Sequence, residues 1–196
     1  MDRKFSKQNK VIRSVCKKLS PKGYLNATEN LMVDSKNKVA FCRNAKVGTV
    51  TWLRHFAQLD PEKRFAVHHE EEYIHDEIPR LFSLQNQLKK KCSKEKSLLH
   101  CLRSRNYLLF SFVRHPFDRI VSAYIDKVEI PKYMFRMLKK LYGKYDFLTF
   151  LEHILQSFDG LVKMDIHWTP FYKRCDYCNF VYNVVGRSET FEEDAK

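Results

Sequence analysis

Only 5 Gly and 6 Pro occur among the 196 residues, too few for a collagen-like, linker-rich or low-complexity chain. No internal repeat is present. No apolar run approaches the ~18 residues of a membrane span, and Met1 to Lys4 lead into a charged segment rather than the apolar core of a signal peptide. The sequence as written reads as a soluble chain. Acidic side chains are also in deficit, with 23 Asp and Glu against 36 Lys and Arg and a formal net charge of +13. Such a balance points to an anionic partner: nucleic acid, acidic membrane, phosphorylated nucleotide or acidic polysaccharide.

What is present is globular. Hydrophobic residues make up 44% and aromatics 14% of the chain, which supports one cored domain over residues 1–196. Six Cys fit an oxidised secretory fold and a reduced cytosolic one equally. Asn26, Ala27 and Thr28 form an N-glycosylation acceptor pattern, a tripeptide that more often goes unused.

Hydrophobic spacing predicts the elements. Phe5 to Leu19 place Val11, Ile12, Val15 and Leu19 on one face of a basic amphipathic helix. Leu31 to Val33 and Lys38 to Cys42 read as a hairpin around Asp34 to Asn37. A polar loop and a helix from Thr49 follow, with Trp52, Leu53, Phe56 and Leu59 on one face. Residues 62–105 are highly charged, include Lys89 to Lys91, and read as a surface insertion with weak helical patterns. Tyr107 to Val113 are almost continuously apolar, as a strand buried on both faces requires. Pro116 then opens a helix with Phe117, Ile120, Val121, Tyr124 and Val128 inward. A helix from Asp146 and a strand over Phe180 to Val185 complete the reading. Two strand–loop–helix units predict an α/β domain with a mainly parallel sheet, whose ligands bind beyond the carboxyl ends of the strands.

Both strand-to-helix loops have anion-binding chemistry. In the first, residues 43–52, Gly48 allows close backbone approach, the Thr49 hydroxyl can bond a phosphate oxygen, and Lys46 can set an ammonium over the same group. It differs from the nucleoside-triphosphatase loop, where Lys follows the second Gly. The plain alternative is a left-handed turn with a solvated Lys. In the second, residues 107–124, Arg114 can grip a terminal phosphate with a planar fork, and Ser122 can donate to the same oxygens. Its plain alternative is an Arg114–Asp118 ion pair with Ser122 at a helix crossing.

Together these blocks resemble the Golgi carbohydrate sulfotransferases that sulfate chondroitin, dermatan and related glycans. Val39 to Trp52 are similar to the family's 5′-phosphosulfate loop and Leu109 to Tyr124 to its 3′-phosphate element. A third block runs from His167-Trp168 through Cys175 and Cys178 to Ala195. The resemblance implies a P-loop-like α/β sulfotransferase fold that uses 3′-phosphoadenosine 5′-phosphosulfate (PAPS) without a metal and modifies an acidic glycan, most often at the 4-hydroxyl of N-acetylgalactosamine. It implies Lys46, Val47, Gly48 and Thr49 at the 5′-phosphosulfate, Arg114 and Ser122 at the 3′-phosphate, and Lys46 stabilising the charge that grows on the bridging oxygen. A neutral His suits the proton-accepting role. His68, between the two loops, is the expected base, with Glu70 as rival and a plain surface His as the bland alternative.

Departures from the family are Ala45 for Pro, Val50 for a hydroxyl residue, and Thr51 for Asn. Val50 cannot donate to a phosphate, so Thr49 or Thr51 must compensate. The resemblance further implies that the family's N-terminal membrane anchor and final helical segment lie outside this sequence, a C-terminally truncated form, with Golgi residence by kinship. Cys175 and Cys178 resemble oxidised secretory cysteines; whether they bond each other, or Cys16 bonds Cys42, stays open. Zinc at Cys175 and Cys178 is a minor reading, since four ligands are needed. Two other functions compete: an inactive relative that holds PAPS or acidic glycan, and a nucleic-acid binder using the basic segment Lys89 to Lys96. Acidic glycan explains the charge better than nucleic acid once the loops are considered.

Overall fold

The computed structural model describes residues 14, 16, 29–60, 62, 71–88, 98–130, 133–178 and 180–194. The basic helix expected over Phe5 to Leu19, apart from Ser14 and Cys16, falls outside them, as do Asn26, His68, Glu70 and Lys89 to Lys96. The described residues gather into two compact units. One comprises residues 1–44, 48–113 and 171–196, and the other residues 45–47 and 114–170.

The first unit contains the sheet. Strands β1 (Leu31–Asp34) and β2 (Val39–Cys42) form the expected hairpin, antiparallel with Leu31 opposite Cys42. The Asp34 carboxylate closes its turn by accepting the Lys36 and Asn37 backbone N–H groups, the local bonding that makes Asp a turn residue. Strand β3 (Leu108–Val113) lies parallel to β2, and β4 (Val184–Arg187) parallel to β3, giving the order β1-β2-β3-β4. This is the mainly parallel, helix-flanked α/β sheet expected. The final strand, however, begins at Val184 rather than Phe180. The Asn183 side chain accepts the Leu109 N–H at 2.7 Å and its backbone N–H donates to the Leu109 carbonyl at 2.7 Å, so pairing with β3 opens through a side chain.

Helix α1 (Thr49–Gln58) follows β2 and buries Leu53 and Phe56. Its Trp52 ring packs on Phe41, Phe110, Phe112 and Phe191 at centroid separations of 4.8–5.7 Å, within the range of favourable aromatic pairs. Gly186 fits against this cluster because a Cβ there would lie 2.5 Å from the Phe112 ring. The charged segment also contributes to the core. Helices α2 (Glu71–Leu81), α3 (Leu84–Leu88) and α4 (Leu98–Ser104) bury Ile74, Ile78, Leu88, Cys101 and Leu102. Their apolar positions are sparse in a charge-rich sequence, which is why the segment reads as surface.

Among the described residues, disulfides join Cys42 to Cys175 and Cys16 to Cys178, pairs far apart in sequence. Neither pairing considered from sequence occurs. The zinc reading fails with them, because both sulfurs of Cys175 and Cys178 are in disulfides and no thiolate remains to ligate. Cys42–Cys175 spans 133 residues, and removing a native disulfide typically costs roughly 2–5 kcal/mol, largely through the unfolded chain. The double variant Cys42→Ala with Cys175→Ala is expected to melt about 5–20 °C lower by differential scanning calorimetry. An unchanged transition would mean that this bond does not constrain the fold.

The second unit is helical: α5 (Pro116–Tyr124), a π-helical turn (Ile125–Glu129), α6 (Tyr133–Tyr142) and α7 (Phe147–Phe158). Ala123, Val128, Leu138, Phe150, Ile154 and Trp168 form its core. Asp146 caps α7, accepting the Thr149 N–H at 2.8 Å and hydroxyl at 2.9 Å, as an N-cap Asp does. Helix α5 keeps only part of its expected face, with Ile120 and Tyr124 packed against that core. Phe117 and Val121 are exposed while Arg119 and Ala123 are buried. The cause is the set of carbonyl partners that Arg119 finds.

Candidate functional site

In the second unit, Arg119 projects from the first turns of α5 and is 5% exposed. Its Nε donates to the Ala45 carbonyl at 3.2 Å, Nη1 to the Thr169 carbonyl at 2.8 Å, and Nη2 to the Ile166 carbonyl at 3.1 Å. A guanidinium offers five N–H groups in a fixed fork, and here that fork ties residues 45–47 to the segment 165–169. Arg114 adds a second tie, its Nη1 donating to the Lys46 carbonyl at 3.3 Å. The Arg114–Asp118 ion pair of the plain alternative is absent among the described residues. Arg114 and Lys46 are thus brought together in one unit, and Ser122, half-buried on α5, shares that unit.

Lys46 has the left-handed φ of 67°, uncommon for a side chain with a Cβ. Its ammonium lies 3.3 Å from Asp126, whose same oxygen is 3.0 Å from Lys127 Nζ. Lys46 is therefore not the solvated Lys of the plain reading. Two ammonium groups therefore meet one carboxylate. Val47 is buried, which leaves its backbone N–H as its polar contribution.

In the first unit, Gly48 has φ 77° and ψ 26° at the cap of α1, a conformation glycine adopts without the cost other residues incur. The Thr49 hydroxyl donates to the Asn44 carbonyl, so it is engaged within the loop. Thr51 is exposed and Val50 carries no hydroxyl.

Sequence reasoning assigned no role to several residues beside these. Asn44 is buried and starts a chain of bonds: Nδ2 donates to the Tyr177 hydroxyl at 2.9 Å, Tyr177 to Ser111 Oγ at 2.9 Å, and Ser111 to the Cys42 carbonyl at 2.9 Å. This fixes the exit of β2. Arg43 follows directly, and its Nε is buried with no hydrogen-bond partner among the described residues. Burial, then the neighbouring Arg174 charge, push the Arg43 guanidinium down to about 10. A charge in that position favours an anion close by.

One further pair stands out in the second unit. His167 Nδ1 lies 2.5 Å from Asp165 Oδ1, and the same oxygen accepts the His167 backbone N–H at 2.8 Å. Burial works to raise the Asp165 carboxyl, but these hydrogen bonds and the charges of His167 and Lys127 outweigh it and hold the carboxyl below its usual range. The arrangement gives the imidazole a defined orientation. The signal in the sequence was Asp165, two residues before a His that precedes a Trp, a spacing that only a turn makes meaningful.

No helix among the described residues is long and apolar enough to cross a membrane, and no group of His, Cys, Asp or Glu among them could hold a metal ion. Carbohydrate sulfotransferase 10 of Xenopus laevis is 27% identical over 96% of this chain and 59% of its own length. The same-named protein of Rattus norvegicus is 29% identical over 94% and 57%, and carbohydrate sulfotransferase 9 of Homo sapiens 28% over 96% and 45%. The chain therefore spans about half to three-fifths of the length of these relatives. No solved structure gives a significant match. The profile of the sulfotransferase family covers residues 29–196, a span that includes both strand-to-helix loops, the Arg119 clamp and the Asp165–His167 pair, and the chain belongs to that family.

Proposed function

We propose that the chain is a PAPS-dependent carbohydrate sulfotransferase that modifies a glycan hydroxyl, with the N-acetylgalactosamine 4-hydroxyl of chondroitin- or dermatan-type chains as the first acceptor to test. The observation that supports it most directly is the Arg114–Lys46 bond, because it joins the residue assigned to a 3′-phosphate to the residue assigned to a 5′-phosphosulfate. The relatives' names supply the carbohydrate acceptor, and the net charge of +13 suits an acidic one.

In this reading Arg114 and Ser122 hold the 3′-phosphate, and the Val47, Gly48 and Thr49 backbone together with Lys46 hold the 5′-phosphosulfate. The Arg43 Nε, buried without a hydrogen-bond partner among the described residues, suits a polyanionic ligand. PAPS supplies a sulfuryl group on a good leaving group: the acceptor oxygen bonds to sulfur as the bond from sulfur to the nucleotide oxygen breaks. Lys46 stabilises the charge that develops on that oxygen. An imidazole takes the hydroxyl proton, and His68, by its place between the loops, and His167, by its geometry, are the candidates. The disulfides suit an oxidising compartment, in keeping with Golgi residence.

A second reading has its own observation. The Thr49 hydroxyl is bonded to Asn44 and Val50 has none, which favours a relative that binds PAPS or acidic glycan without turnover. Transfer of labelled sulfate from PAPS to desulfated chondroitin separates the two. Saturable transfer is expected; bisphosphate binding without transfer would sustain the binding-only reading.

A further inference from the structure

The geometry points to His167 as the proton acceptor for the glycan hydroxyl, with Asp165 and Arg119 as its positioning residues; this rests on the sulfotransfer reading above. A carboxylate can only accept, so the contact at Asp165 places the ring proton on Nδ1 and leaves the Nε2 lone pair free for a substrate proton. His167 Nε2 makes no hydrogen bond to any described residue, and the side chain is 19% exposed, enough to be reached. The same pattern of carboxylate, imidazole and hydroxyl orients the base in nucleophile-activating triads.

The pair is also held rigidly. Thr169 donates through its backbone N–H at 2.9 Å and its hydroxyl at 2.6 Å to the Asp165 carbonyl, closing the turn. Trp168 is buried against Phe150 and donates from Nε1 to Ser157 at 3.1 Å. His167 is thus anchored by its neighbours on both sides.

Its placement relative to Lys46 comes from Arg119. One guanidinium holds the Ala45 carbonyl and the Ile166 carbonyl, and these residues immediately precede Lys46 and His167. The residue assigned to the leaving oxygen and the imidazole are therefore fixed to the same planar group, as in-line displacement needs for its two ends. Lys127 completes the link, bonding Asp126 beside Lys46 and acting electrostatically on Asp165. When the acceptor oxygen bonds to sulfur, its proton passes to Nε2, the electron pair of the broken bond leaves with the nucleotide, and the imidazolium returns the proton to solvent.

The test uses the full chain with PAPS and desulfated chondroitin. His167→Ala and His167→Gln are expected to lower kcat on the order of a hundredfold or more, with affinity for adenosine 3′,5′-bisphosphate unchanged, and added imidazole is expected to restore part of the rate of His167→Ala. Independently of turnover, nitrogen-15 histidine NMR is expected to show His167 protonated on Nδ1, and Asp165→Asn to abolish that single tautomer. Transfer by both His167 variants at the unaltered rate, or an Nε2-protonated ring, overturns the role of His167 alone. A loss in His68→Ala that imidazole restores, with none in His167→Ala, returns the proton to His68. Absence of transfer by the unaltered chain despite tight bisphosphate binding overturns the enzyme reading, and this role with it.

Discussion

Lys46→Met is expected to lower kcat for sulfate transfer on the order of a hundredfold or more, about 2.7 kcal/mol of lost transition-state stabilisation, while affinity for the bisphosphate product changes much less. The asymmetry follows from where the charge appears. In the proposed reading phosphate binding is shared among Lys46, Arg114, Ser122 and backbone N–H groups, whereas the bridging oxygen gains its charge only as the bond to sulfur breaks. Asp126 refines the expectation, since its carboxylate already has Lys127 at 3.0 Å as well as Lys46 at 3.3 Å. Removing Lys46 takes one of these two ammonium groups away from the carboxylate and leaves Lys127 beside it. Lys46→Arg keeps the charge but replaces a compact ammonium with a planar fork, and partial recovery is expected. Steady-state kinetics with both variants, beside calorimetric bisphosphate affinities, make the check. A Lys46→Met enzyme within a fewfold of the original rate would remove Lys46 from the chemistry.

Arg119→Met is expected to be the most destabilising single change in the second unit. Three carbonyls lose donors from a charged group, and with each such bond worth about 1.5–3 kcal/mol and the contributions not additive, a loss on the order of 3–5 kcal/mol is expected. For a chain of this size the melting temperature should fall by about 6–20 °C. Arg119→Lys keeps the charge yet cannot span three carbonyls from one point, so an intermediate value is expected. Below its transition, Arg119→Met should also bind bisphosphate more weakly, because the Ala45 carbonyl is released and the loop holding Lys46 loses its tie. A packing role alone would lower stability and leave that affinity untouched. Thermal melts and calorimetry on the same samples separate the two.

Much of the sheet was legible in the sequence because local chemistry and burial agree there. The hairpin was signalled by Asp34 to Asn37, and β3 by an apolar run that only a doubly buried strand tolerates. The helix after Asp146 was equally plain, with a capping Asp and bonds to Thr149. Helix α5 was readable as a helix with Ile120 and Tyr124 facing the core, but not in the exposure of Phe117 and Val121 or the burial of Arg119. Periodicity treats an Arg as a solvent-facing residue, and nothing in a linear pattern announces three carbonyls waiting for it. The π-helical turn at Ile125–Glu129 compounds this, since its wider winding separates the phase of Val128 from that of Phe117 and Val121.

The candidate site was legible in composition more than in wiring. Lys46, Gly48 and Arg114 stand out because their residue types at a strand-to-helix junction suit an anion, and Ser122 because it follows on the next helix. Asp126 as the partner of Lys46, and Asn44 as a buried hub, become visible only when distant segments meet. The cysteines make the same point: Cys175 and Cys178 are near in sequence and suggest each other, yet the fold carries one to Cys42 and the other to Cys16. His68 was favoured for its position between the loops, whereas Asp165 and His167 needed the turn that puts a carboxylate on Nδ1.

The central claim is that this chain holds a nucleotide through separate 3′- and 5′-groups, and isothermal calorimetry with adenosine 3′,5′-bisphosphate, against adenosine 5′-monophosphate as control, tests it most directly. Tight one-to-one binding of the bisphosphate, lost when the 3′-phosphate is absent and weakened at least tenfold by Arg114→Ala, is the result predicted. Equal affinity for the two nucleotides in a folded sample, or a bisphosphate affinity that Arg114→Ala leaves unchanged, would contradict it.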